Sequence, residues 1–159
     1  MKLFIGSLFC MLFIFSFAFP QTKIDLPPPP FFENEEELET CEPEVKACID
    51  YLITTPLGEG GDTRKIATEF FITWANGTSK TRIVLGTSIA RLSIKNQELL
   101  PTYMAAWAKY ELEHGRDPAN ARHAAMTAVM NLYKESPNRQ EDPALETMLK
   151  KMKKETAKF

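Results

Sequence analysis

The amino-acid sequence predicts an all-α protein: an irregular bundle of about six helices after an apolar leader and a Pro/Glu-rich linker. Three observations predict it. Apolar residues recur at i, i+3, i+4 and i+7 from Val45 onward, the signature of one buried helix face. The pairs Asp117-Pro118 and Asp142-Pro143 are helix starts, a capping residue followed by a proline that tolerates the first helical position. No stretch finds a partner for a strand ladder. With 159 residues, 44% apolar and 25% charged, the chain is sized for one domain and too apolar for wholesale disorder.

The first element is the leader. Met1-Lys2 is followed by an apolar run from Leu3 to Phe15, with no acid before Asp25, which is the pattern of a secretory signal. Ser16 and Ala18 place small residues where a signal peptidase reads them, so cleavage is expected after Ala18, giving a signal peptide at 1–18. The alternative is an uncleaved anchor, because Leu3–Phe19 approaches the lower limit of roughly 17 residues for a membrane span. A lipoprotein signal fits poorly, since bulky Phe9 precedes Cys10. Cleavage removes Lys2 and no acid, so the net charge moves from −2 to −3. A mildly acidic domain argues against general nucleic-acid binding, which uses a basic footprint.

Residues 19–40 read as a linker, and 41–159 as the helical domain. Pro27–Pro30 is a polyproline stretch without backbone donors, and Glu33–Glu39 is strongly acidic. A solvated spacer is the simplest account, and a partner-binding tail the alternative. The acids also have lysines within the chain to lean on, at Lys150, Lys151, Lys153 and Lys154.

Helix by helix, the pattern runs as follows. Pro43 places Glu42 as the cap of a first helix, with Val45, Cys48, Ile49 and Leu52 as its buried face and Pro56 beyond its end. After the loop Leu57–Gly61, Asp62 caps a second helix with the stripe Ile66, Phe70, Phe71 and Trp74, ended by Asn76-Gly77 with the glycine at positive φ. Asn76-Gly77-Thr78 also fits a glycosylation sequon, but the helix stop accounts for it. Thr78–Leu85 is a link with β-branched residues. A third helix over 86–95 uses Leu85, Ile89 and Leu92. Pro101 opens a fourth, to His114, carrying Leu100, Met104 and Trp107, with Glu111 at the rim and Tyr103 and Tyr110 alongside. Gly115 stops it. A fifth helix from Pro118 to about Glu135 has an alanine-rich face of Ala121, Ala124, Ala125, Ala128, Val129 and Leu132, and pairs antiparallel with the fourth. A sixth from Pro143 carries Leu145, Met148, Leu149 and Met152, and its terminal lysines suit the helix dipole.

The chemistry-bearing residues are sparse. Loss of Cys10 with the leader leaves Cys41 and Cys48, which an oxidising compartment favours pairing. In one helix seven residues would separate them by about 10.5 Å, beyond the roughly 7 Å a disulfide spans. A bridge therefore needs Cys41 outside the helix, and two free thiols remain the alternative. Only His114 and His123 are available as imidazole ligands, and with Glu111 they make no convincing zinc set. There is no nucleophile elbow, no thiol-protease signature and no phosphate loop, since Gly58-Glu59-Gly60-Gly61 lacks the following Lys-Ser/Thr. Trp74, Tyr103, Trp107 and Tyr110 could line a ligand or partner site, or form core.

The strings Ala47–Leu57, Phe70–Thr78, Asn96–Leu100 and Tyr103–Ala106 resemble a group of uncharacterised short exported α-helical proteins of Bacteroidota, over residues 41–135. That resemblance implies a bacterial envelope setting and no particular chemistry. The sequence thus leads to an exported protein, periplasmic or secreted, without cofactor, metal or catalysis, that binds a protein partner, as an inhibitor or immunity protein would. A small apolar-ligand module and, further off, a carboxylate-dependent hydrolase are the alternatives.

Overall fold

The structure, a computed structural model, describes residues 34–156 together with Ile24, Leu26, Pro27, Pro29, Phe31 and Phe32. The signal peptide at 1–18 lies outside the described residues. So do the side chains of Lys151, Lys153 and Lys154. The predicted all-α class is what the described residues show: α1 Glu35–Thr40, α2 Glu42–Thr54, α3 Gly61–Gly77, α4 Thr87–Ala90 running into a 3-10 turn at Arg91–Ser93, α5 Leu99–His114, α6 Pro118–Glu135 and α7 Pro143–Thr156.

The helix starts follow local chemistry, with three shifts from expectation. The cap of α2 is Cys41, with Pro43 in the first turn and Glu42 and Glu44 where negative charge suits the dipole. Glu42 is therefore inside the helix. The cap of α3 is Gly60 at φ 90°, and Asp62 falls in the first turn. Only a residue without a side chain fits at Gly60, because a Cβ there would collide with the Tyr51 hydroxyl. The main helix starts at Leu99, two residues before Pro101, since a first-turn proline withholds only an N–H that has no helical acceptor. Asp117 caps α6 as expected, accepting from the amides of Ala119 and Asn120.

Burial divides into two clusters that share α5. One holds Tyr103 and Trp107 of α5 with Ala125, Val129 and Tyr133 of α6, plus Leu145 and Leu149 of α7. The other holds Val45, Cys48 and Leu52 of α2 with Phe70, Phe71 and Trp74 of α3, against Ala105 and Ala108 of α5. The small residues Ala105, Ala106 and Ala108 let neighbouring helices close on both sides of α5. The loop between α2 and α3 is locked to the start of α5. Arg64, almost fully buried, donates to the carbonyl of Thr55 at 2.8 Å and pairs with Glu98 at 3.1 Å. The other Glu98 oxygen accepts the Gly58 amide at 2.8 Å.

Four further expectations change. Residues of the supposed spacer are part of the body: Ile24, Leu26, Phe31, Phe32 and Leu38 are half-buried against the α2–α3 cluster, and 35–40 is helical. Its acid Glu39 pairs with Lys80 at 3.2 Å, alongside Glu42 of α2 at 3.1 Å. Gly77 ends α3 without positive φ. The end of the Leu38 side chain packs over it, 2.7 Å from where a Cβ would lie. Ile66 and Leu85, placed on buried stripes by spacing alone, are both exposed.

Candidate partner-binding surface

The four aromatic side chains singled out by spacing do not form one site. Trp74 is buried in the α2–α3 cluster, where its indole N–H donates to the Leu38 carbonyl at 3.1 Å. Tyr103 and Trp107 are buried in the other cluster with ring centroids 5.9 Å apart. Tyr110 is half-buried and stacks on His114 at 4.6 Å. Three of the four are core, separated by the backbone of α5.

The cysteines also stand apart in role. Both are free thiols in the structure. Cys41 begins α2 and donates its S–H toward the Leu38 carbonyl at 3.4 Å, while Cys48 is wholly buried one face along the same helix. Because α1 runs directly into α2, the chain does not fold back at Pro43 as a bridge requires. Burial pushes the Cys48 thiol up to about 12, so it stays neutral.

A depression of about 60 Å³ between α2 and α5 is lined by Lys46, Ile49, Asp50, Lys109, Leu112 and Glu113, and the Lys109–Asp50 ion pair crosses it. Ligand pockets start near ~300 Å³. Among the described residues no three His, Cys, Asp or Glu side chains gather as a metal site. Glu111, expected at a rim near the histidines, is instead buried under the α3–α5 link. It accepts the Thr81 hydroxyl at 2.7 Å and the Arg82 amide at 2.8 Å. Among the described residues, the carboxyls with displaced titration both move downward. Hydrogen bonds from Lys46 and Lys80 hold Glu42 low, and the Asn120 backbone and side chain do the same for Asp117. Both are structural arrangements, an ion pair and a helix cap, and neither makes a raised carboxyl that could act as an acid at neutral pH.

The link from Thr78 to Glu98 is the most distinctive surface. Burial alternates along its first part: Thr81 in, Arg82 out, Ile83 half in, Val84 out, the period of an extended chain. Glu111 holds it at Thr81 and Arg82, and Arg116 holds it at the Ser79 carbonyl, 2.7 Å away. Ile89 and Leu92 anchor its middle in the core. Its far end is tied by Lys95 to the Glu141 carbonyl and by a two-way bond between Asn96 and the Gln140 backbone. Between these ties it exposes Val84 at 42%, Leu85 at 49% and Ile94 at 74%. The sequence flagged none of the three as surface, because periodicity reads spacing and this link is not one helix. The one available signal was the β-branched run Thr81–Val84, which resists helix.

Among the described residues no helix is long and apolar enough to cross a membrane. No protein-family model, curated protein or solved structure matches this chain.

Proposed function

We propose that this chain is exported and works, without catalysis, by binding a protein partner through the link between α3 and α5. One observation carries the reading. Three large apolar side chains, Val84, Leu85 and Ile94, stand exposed on a segment whose ends and middle are fixed, so the surface is ordered before a partner arrives. Exposed apolar side chains on a fixed segment suit protein contact, since preorganisation lowers the entropy lost on binding. The leader pattern at 1–18 supports export, to the periplasm or the medium. The small-ligand alternative has less support, because the depression between α2 and α5 holds about 60 Å³ and carries an ion pair.

Two measurements test it. The full chain, expressed with its own leader in a Gram-negative host, should appear outside the cytoplasm with a mass lacking residues 1–18; an intact cytoplasmic product refutes export. A photo-crosslinking residue at position 84 or 94 should trap one discrete protein adduct in the native cell, whereas the same residue at exposed Asn131 should not. Equal labelling at all three positions removes the link as the binding surface.

A further inference from the structure

We propose that the face of α3 carrying Phe70 and Trp74 is a docking groove for an extended, proline-preceded peptide with paired aromatic residues, filled in cis by the chain's own N-terminal arm. This surface is separate from the α3–α5 link, so the two readings stand or fall independently.

The arm shows what the groove accepts. Phe31 meets Phe70 edge-on at 5.3 Å and 75°, and Phe32 lies against the same ring at 5.0 Å. Ile24 and Leu26 pack on the same cluster, while Pro27 and Pro29 between them and the phenylalanines are exposed. Pro27 and Pro29 have no N–H to offer, so neither donates a hydrogen bond to the body. Further along, Leu38 covers bare Gly77, and its carbonyl takes the Trp74 indole proton. The arm thus touches successive turns of one α3 stripe, Phe70, Trp74 and Gly77, through side chains and the Trp74–Leu38 hydrogen bond.

The stripe is longer than its cover. Ile66 lies one turn before Phe70 on the same row (i, i+4, i+8 through Trp74) and is 40% exposed. Its exposed side is where a competing segment would make first contact. The matching partner is therefore a protein segment of the arm's own chemistry: apolar residues, a polyproline spacer and two adjacent aromatics. Polyproline is already extended in the free state, which is why such segments bind aromatic-lined grooves without a large ordering cost.

The test uses the full-length chain and a synthetic peptide with the sequence of residues 24–33, read by NMR of the two indole N–H signals. Trp74 reports on the groove, and Trp107, in the other cluster, reports on folding. In the double variant Phe31→Ala/Phe32→Ala the arm is weakened. The peptide should then shift the Trp74 signal saturably, at least tenfold tighter than in the wild-type chain, with Trp107 unmoved. A peptide with both phenylalanines replaced by alanine should give no shift. Equal affinity for wild type and variant, an equal response to the alanine peptide, or no shift at millimolar peptide overturns the proposal. So does loss of the Trp107 signal in the variant, which would make the arm an integral part of the core.

Discussion

Trp107 carries its indole N–H into the interior without a hydrogen-bond partner among the described residues, and the buried Tyr103 hydroxyl has the Arg122 guanidinium as its polar neighbour without a well-formed bond to it. A buried hydroxyl without a partner costs free energy on folding. Tyr103→Phe removes that hydroxyl and its contact with Arg122 but keeps the ring, so it should change stability by no more than about 1 kcal/mol in urea denaturation. Cys48 makes the opposite kind of statement, through pH. Its thiol is raised from an ordinary value of 9.0 to about 12 by burial first, then by Cys41 and Glu44. A raised folded-state value means full stability below pH 9 and loss as pH climbs toward 12, because only the unfolded thiol ionises in that window. The wild-type chain should therefore lose stability there by about 1.4 kcal/mol per pH unit more than Cys48→Ala, measured as denaturation midpoints at pH 8 to 11.

At the scale of elements, the α3–α5 link keeps its shape through one carboxylate. Glu111 accepts both the Thr81 hydroxyl and the Arg82 amide, and Thr81 is itself buried. Glu111→Ala leaves these donors without an acceptor and should cost about 2–3 kcal/mol. Hydrogen exchange should quicken from Thr81 to Leu85 while the amides in the middle of α6 stay protected. Unchanged exchange in the link would show that Ile89 and Leu92 alone hold it. The same logic explains α1. A six-residue helix is too short to persist in isolation. Here its cap bond from Asn34, the Leu38–Gly77 contact and the Lys80 ion pairs keep it in place.

For the whole molecule, α5 is the shared wall of both clusters, so neither can come apart without exposing the other. Unfolding should be a single cooperative event. Fluorescence followed through Trp74 alone, in Trp107→Phe, and through Trp107 alone, in Trp74→Phe, should each give a transition coincident with the far-UV signal of the same variant. Separate midpoints within one variant would show that the two clusters fold as independent units. The N-terminal arm lies outside this shared wall, held on α3 by side chains and the Trp74–Leu38 hydrogen bond, and it is the natural first piece to open.

Helix class and most helix ends were legible in the sequence, because caps, prolines and 3.6-residue spacing act over a few neighbouring residues. Asp117-Pro118, Gly115 and the faces of α2 and α6 needed nothing further. Tertiary structure decided which apolar residues are covered. Ile66 shares its row with Phe70 yet stays 40% exposed, and Leu85 belongs to an extended link. It decided that residues written like a solvated spacer lie on α3, and that Glu111 faces inward to meet Thr81 and Arg82. Local patterns record what each segment prefers. Burial depends on which distant segment arrives to exclude water, and that information is spread over contacts 30 to 40 residues apart, such as Thr81 with Glu111 and Leu38 with Trp74.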